Sequence, residues 1–126
     1  MPPRRRTPIA EGHRALTVCR RAGFAADRQT TATAVRFTLE ELAAEAPGRT
    51  VEVRVPPYGA VQCIEGPVHT RGTPPNVIET DAGSWLALAT GELAWDEALD
   101  TARVRASGQR AHLDGLLPLR SLTLGR

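Results

Sequence analysis

Apolar and charged residues alternate along Thr50–Val55, and this is the clearest strand pattern in the chain. Its three valines would lie on one side of the strand and its charged residues on the other, so that one face is buried and the other meets water. Pro56 and Pro57 have no N–H for a ladder and would end the strand. Gly59–Glu65 is predicted to return beside it as a hairpin. We therefore expect a sheet covered by helices on one face.

Two segments ahead of this hairpin have the spacing of apolar residues that is typical of helices. Ile9–Ala22 is predicted to form the first helix. Thr30–Ala46 is predicted to form the second, with the hydroxyl of Thr30 or Thr31 capping its first turn. The apolar stripe of the second helix should pack against the sheet. Three glutamates lie off that stripe, and the first two are expected to face solvent: Glu40, Glu41 and Glu45.

The second half of the chain predicts further alternation of strands and helices. Asn76–Thr80 is a short strand, and two short helices follow it on either side of Gly91, the second of them over Ala94–Thr101. Arg103–Ser107 is the expected fourth strand. His112–Leu119 is apolar and has two interpretations, a fifth strand or a closing turn packed on the core. The order of elements predicts an α+β fold.

The size of the chain fits one domain. Its 126 residues, 41% of them hydrophobic, suffice for a single modest core. We expect a flexible tail over 1–8, one domain over 9–120 and a C-terminal tail over 121–126. No apolar run approaches the ~20 residues that a membrane span needs. The arginines near the start are not followed by the apolar segment of an export signal, so a cytoplasmic protein is expected.

The charge pattern gives little reason to expect a nucleic-acid partner. The 16 basic residues are all arginines, yet the formal net charge is only +2. Arg4-Arg5-Arg6 is either a solvated tail or a nucleic-acid-binding arm, and no basic helix or stacking platform accompanies it. We therefore expect no nucleic-acid binding.

No set of residues in the sequence has the spacing of a catalytic or metal site. Cys19 and Cys63 lack metal-ligand spacing and are expected to be buried apolar residues, with a redox thiol as the alternative. No nucleophile has a base at a recognisable spacing, so we expect neither catalysis nor a cofactor. The histidines lie too far apart in sequence for a metal site: His13, His69 and His112.

The region from Asn76 to about Gly108 resembles the C-terminal half of the sterol carrier and non-specific lipid-transfer protein family. Leu88-Ala89-Thr90-Gly91 matches the turn of that family, and Arg103-Val104-Arg105 matches its basic-apolar-basic strand. The chain as a whole is similar to a small actinobacterial branch, the bacterial sterol carrier orthologues. Ala102 is a departure, because many relatives place glycine before this strand.

This resemblance implies a five-stranded sheet with helices on one face and an apolar tunnel between them. The expected function is non-catalytic binding or carrying of a fatty acid, a sterol-like lipid or another small apolar molecule, held mainly by apolar burial. A homodimer or a permanently bound lipid would offset the stability that a cavity costs. Trp85 either lines the tunnel or anchors the core. The candidate lining residues are Val53, Val55, Val77, Trp85, Leu86, Leu88, Leu93, Leu99 and Leu117.

The loop Gly66–Pro75 is the expected place for polar ligand contacts. Arg71, in the run His69-Thr70-Arg71, would pair with a carboxylate or phosphate head group, because a guanidinium matches two oxygens. The alternative is a solvated loop stiffened by prolines. Two other functions stay open. A related sheet forms the C-terminal part of mycothiol-dependent isomerases and transferases, so the chain would be an accessory module. A pure interaction domain would instead expose a large apolar patch.

Overall fold

The computed structural model describes residues 6–67 and 75–123. Two helices are followed by three strands, two more helices, a fourth strand and a last short helix, and the α+β class and the first four predicted strands are confirmed. The elements are α1 Ile9–Arg21, α2 Arg28–Glu45, β1 Val51–Val55, β2 Gly59–Cys63, β3 Asn76–Thr80, α3 Ala82–Thr90, α4 Trp95–Asp100, β4 Val104–Ser107 and α5 Arg120–Thr123.

Helix α2 begins earlier than its sequence pattern predicts. Asp27 is its N-cap, and the Asp27 carboxylate accepts hydrogen bonds from the backbone N–H of Thr30 at 2.8 Å and from its hydroxyl at 3.0 Å. These hydrogen bonds hold the pKa of Asp27 below its ordinary value. The prediction of a threonine cap is therefore wrong, because Thr30 is a donor to the cap.

The strands form one open sheet in the order β2-β1-β3-β4. The β1–β2 hairpin is antiparallel and pairs Val53 with Val61, while β1 and β3 run parallel and pair Val53 with Ile78. Strand β4 returns antiparallel to β3. β2 and β4 are thus the edge strands of the sheet. The outer edge of β2 pairs with no further strand among the described residues.

The sheet has four strands within the described residues, and the prediction of five is wrong. His112–Leu119 takes the alternative form, a series of turns that closes over the core. Leu113 and Leu119 are buried, and the backbone N–H of Leu119 donates to the carbonyl of Ala89 at 3.0 Å. The segment does not extend as a strand because Gly115 takes a left-handed φ of 80° and Pro118 has no N–H to donate.

The core lies between the helices and one face of the sheet. The three valines of β1 are buried against α2 and α3, whereas its charged residues point to the other face. Trp85 of α3 is completely buried, and its indole N–H donates to the hydroxyl of Thr38 on α2 at 2.8 Å. Thr38 in turn donates to the carbonyl of Ala34 at 2.8 Å. These two hydrogen bonds satisfy the Trp85 N–H and the Thr38 hydroxyl and fix α3 on α2.

Glu40 of α2 binds the chain ahead of α1. Its carboxylate accepts hydrogen bonds from the backbone N–H of Arg6 at 2.9 Å and of Thr7 at 3.1 Å, and Thr7 is buried. The end of the predicted tail is therefore attached to the domain from residue 6 onward, because a charged acceptor satisfies amides that precede the first helix.

Two further carboxylates of α2 hold the other end of the chain. Glu45 accepts from the backbone N–H of Arg120 at 2.8 Å and of Ser121 at 3.0 Å, and Glu41 accepts from the Ser121 hydroxyl at 2.9 Å. Glu41 is only 2% exposed, so its predicted position toward solvent is wrong. Helix α5, Arg120–Thr123, crosses the predicted boundary between the domain and its C-terminal tail. Within the described ranges, no helix is long and apolar enough to cross a membrane.

Candidate functional site

Most of the predicted tunnel residues lie together in the core. One buried cluster, under α2 and α3, contains Val53, Val55, Trp85, Leu86, Leu88 and Leu93. Leu117 is half-buried at its edge. Val77 is half-buried on the opposite face of the sheet, because it is paired with Glu52 of β1, whose side chain points to that face. Leu99 on α4 is 40% exposed. His69 and Arg71, which carried the predicted head-group contact, lie outside the described residues.

Three open clefts are lined by described residues, and none of the three is lined by the predicted tunnel residues. Two of them adjoin each other along α2, and the third lies at the carboxyl ends of β1 and β3. A ligand that reached the core cluster would have to pass between packed side chains. The clefts are therefore the surfaces on which a binding site is to be sought.

The larger cleft beside α2, here named the α2–β2 cleft, has a volume of about 660 Å³. One wall is α2 and the other is the edge strand β2, where Gly59 and Val61 face the helix because they pair with Val55 and Val53. A Cβ atom at Gly59 would lie 3.6 Å from Leu39 Cδ1, so the absence of a side chain there keeps the cleft open. The full lining is Arg6, Arg36, Leu39, Glu40, Tyr58, Gly59, Ala60 and Val61.

The floor of the α2–β2 cleft is continuous with the core. Leu39 is 2% exposed at the base of the cleft and belongs to the core cluster, while Val61 packs against that cluster from the edge strand. An apolar group that entered between Leu39 and Val61 would therefore meet apolar atoms on both sides. This is the one described cleft in which the core itself forms the floor.

The adjoining cleft, of about 400 Å³, is lined by Arg28, Gln29, Ala32, Arg36, Pro57 and Tyr58. It shares Arg36 and Tyr58 with the α2–β2 cleft, so the two form one continuous groove. Arg28, Ala32 and Arg36 are four residues apart on α2 and so lie on one face of the helix. The sequence interpretation did not include these arginines, although their spacing of eight was visible in the sequence.

The third cleft, of about 530 Å³, is polar, and its groups are bound to one another. The Asp81 carboxylate caps α3, accepting from the backbone N–H of Ser84 at 3.0 Å and from its hydroxyl at 2.7 Å. Burial acts to raise the pKa of Asp81, but these hydrogen bonds outweigh it and hold the pKa below its ordinary value. The Nε of Arg103 donates to the Ser84 hydroxyl at 3.0 Å. Ser84 thus takes part in the cap of α3, and the carboxylate that accepts from its hydroxyl is a weak base because the pKa of Asp81 is held low.

Both cysteines are buried in the core, as expected of small apolar side chains. Burial raises the pKa of the Cys63 thiol to about 12 and also raises the pKa of Cys19. Neither thiol therefore ionises near neutral pH. Among the residues that the structure describes, no group of histidine, cysteine and carboxylate side chains is arranged to hold a metal ion.

Comparison with known proteins assigns the family. A family model described as the bacterial SCP ortholog, where SCP denotes sterol carrier protein, matches residues 27–119. The match runs from the cap of α2 to the last buried leucine before α5, and so it contains the four described strands and every lining residue of the groove along α2 except Arg6. The chain belongs to this family. A search of the curated proteins found no match to the chain.

Proposed function

We propose that this chain, a member of the bacterial SCP ortholog family, binds and carries a small apolar ligand, such as a fatty acyl chain or a sterol-like lipid, without reacting with it. The α2–β2 cleft carries this proposal. Its floor is the core residue Leu39, and its volume of about 660 Å³ lies within the ~300–1,000 Å³ of known small-molecule pockets.

Binding of this kind depends on apolar contact rather than on reactive groups. An acyl chain lying between Leu39 and Val61 would remove its own surface and theirs from water, at about 25 cal/mol for each Å² buried. Beyond that gap lies the core cluster with Val53 and Trp85, which contains six of the nine apolar residues predicted to line the tunnel. We propose that the ligand enters at the edge strand β2 and that its tail displaces side chains of this cluster.

Carriage is a better interpretation than catalysis for Ser84, which lines the polar cleft, and for Cys63, which lies in the core. The Ser84 hydroxyl is engaged by Asp81 and Arg103, and the Cys63 thiol is buried with a pKa of about 12. Neither group is poised as a nucleophile at neutral pH. A carrier needs no such group, because its ligand leaves unchanged.

The test is to fill the cleft and measure the binding of a fluorescent fatty acid. Val61→Trp places a large side chain against Leu39. We expect it to weaken binding of the fatty acid by at least about tenfold, because the indole fills the space in which the acyl chain would contact Leu39. Gln62→Trp is the matched control, because Gln62 is the next residue on β2, is exposed and points to the other face of the sheet. Circular dichroism and thermal unfolding would establish that both variants fold.

Two results would contradict the proposal. One is that the native protein binds neither the fluorescent fatty acid nor a sterol probe. The other is that Val61→Trp, like its control Gln62→Trp, binds the probe as tightly as the native chain. Native mass spectrometry of the purified protein, followed by solvent extraction, would then identify the class of any ligand that it carries.

A further inference from the structure

We propose that Arg28 and Arg36 bind the oxyanion head group of the ligand, a carboxylate or a phosphate, while its apolar chain occupies the α2–β2 cleft. This inference rests on the proposed function and makes it narrower, because it selects anionic amphiphiles over neutral lipids. It also assigns the head-group contact to α2, whereas the sequence pattern suggested Arg71.

The first argument is position. Arg28 and Arg36 lie two helical turns apart on one face of α2, and Tyr58 of the β1–β2 turn stands across the groove from them. Arg36 and Tyr58 line both parts of the groove, so they mark the place where the cationic part meets the apolar part. The Tyr58 backbone N–H donates to the carbonyl of Val55 at 2.9 Å, which fixes the turn that carries it.

The second argument is the lack of an internal counter-charge. Elsewhere on the surface, Arg20 pairs with Glu92 at 3.2 Å and Arg54 pairs with Glu52 at 2.7 Å. Within residues 6–67 and 75–123, the guanidinium groups of Arg28 and Arg36 have no carboxylate or hydrogen-bond partner. A guanidinium presents a planar fork of donors that fits two oxygens of a carboxylate or phosphate.

The third argument concerns Glu40, which is the carboxylate that lines the α2–β2 cleft. Both of its oxygens are occupied by the backbone N–H groups of Arg6 and Thr7. Glu40 lies one helical turn from Arg36 but, in the described structure, accepts its hydrogen bonds from these amides and forms no ion pair with Arg36. Arg6 adds a third positive charge to the groove. The groove thus combines a cationic rim with an apolar floor, which is the complement of an anionic head joined to an acyl tail.

The experiment compares ligands that share one tail and differ in their heads. Displacement of an uncharged fluorescent acyl probe would be measured with hexadecanoate, monohexadecyl phosphate and hexadecanol, and with inorganic phosphate as a head without a tail. We expect the native protein to prefer the two anions over the alcohol by about tenfold, the scale of one hydrogen-bonded charge contact. We expect inorganic phosphate alone to displace no probe.

Substitution then tests the two arginines. Arg36→Gln and Arg28→Gln should lower the affinity for the anions several-fold more than the affinity for hexadecanol, and the double variant should lose the preference for anions entirely. Arg14→Gln is the matched control, since Arg14 is an exposed helical arginine on α1 outside both parts of the groove. The preference for anions should also fall as salt is raised, because the rim is exposed.

Failure of this inference is distinguishable from failure of the lipid-binding function. If the native protein binds the acid and the alcohol equally, or if the arginine variants lose both to the same degree, the head-group site is refuted and lipid binding stands. If neither the acid nor the alcohol displaces the probe, the lipid-binding function is refuted and the head-group site falls with it. Displacement by inorganic phosphate alone would assign the arginines to a free anion instead.

Discussion

Ala102 holds a backbone conformation that glycine adopts more easily. Helix α4 ends in a turn in which the backbone N–H of Arg103 donates to the carbonyl of Ala98 and that of Ala102 to the carbonyl of Leu99. This turn needs a left-handed residue, and Ala102 supplies it with a φ of 59°. Helix α3 ends in the same pattern of hydrogen bonds, with Gly91 in the corresponding place at a φ of 86°.

The two helix ends form a reciprocal pair of mutations. Ala102→Gly should raise the free energy of unfolding by about 1 kcal/mol, because it removes the strain of a Cβ atom in the left-handed region. Gly91→Ala should lower it by at least as much, since a Cβ there would also lie 3.2 Å from Pro118 Cγ. Urea unfolding of both variants is the measurement. Opposite signs are expected, and a loss of stability in Ala102→Gly would contradict the interpretation.

The buried thiol of Cys63 makes stability fall in alkaline solution. Burial raises its pKa from 9.0 to about 12, so the unfolded chain releases this proton at a lower pH than the folded chain. The contribution to stability is therefore complete below about pH 9 and is lost as the pH rises from there toward 12. Urea unfolding across this range should give a shallower decline for Cys63→Ala than for the native protein. Equal slopes would show that Cys63 does not titrate in this way.

At the scale of elements, α2 is bound both to the segment before α1 and to the start of α5. Its predicted boundaries came from apolar spacing, which reports the side of the helix that faces the core. The same spacing says nothing about Glu40 and Glu45, because their partners are amides that lie more than thirty and more than seventy residues away. The use of these carboxylates depends on tertiary contact, and no local pattern in the sequence contains it.

Removal of the Glu45 carboxylate should release helix α5. Glu45→Ala leaves the backbone N–H groups of Arg120 and Ser121 without their acceptor, and we expect a loss of about 1–3 kcal/mol in the free energy of unfolding. Hydrogen exchange at those two amides should accelerate more than exchange in α3. Glu65→Ala, at an exposed carboxylate, is the control and should change little. Unchanged protection at residues 120 and 121 would refute the role of Glu45.

The sheet was predictable in part. The alternation along Thr50–Val55 gave β1 and its buried face, and the proline pair gave its end. Hydrophobicity alone could not exclude a fifth strand, because His112–Leu119 is as apolar as a strand. Its turns and Pro118 prevent the segment from extending as one. Val77 was misleading for a similar reason: both Val77 and Ile78 are apolar, and the register with β1 determines that Ile78 is the one that faces the core.

At the scale of the whole molecule, the candidate site is formed where elements distant in sequence meet. Apolar residues of the core were identified from sequence, since burial follows hydrophobicity. The groove along α2 was not, because it requires Arg36 of one helix and Tyr58 of a later turn to lie across from each other at the edge of the sheet. Neither residue is unusual in its own segment. The site is a property of their arrangement in space.

The attachment of Arg6 to Glu40 has a practical consequence for work with this protein. Because Arg6 lines the α2–β2 cleft, any polypeptide or dye joined ahead of it departs from the mouth of that cleft. Arg120 and Ser121 are anchored instead to Glu45, five residues further along the same helix. Purification handles and reporter dyes are therefore better fused after α5, away from the mouth of the cleft.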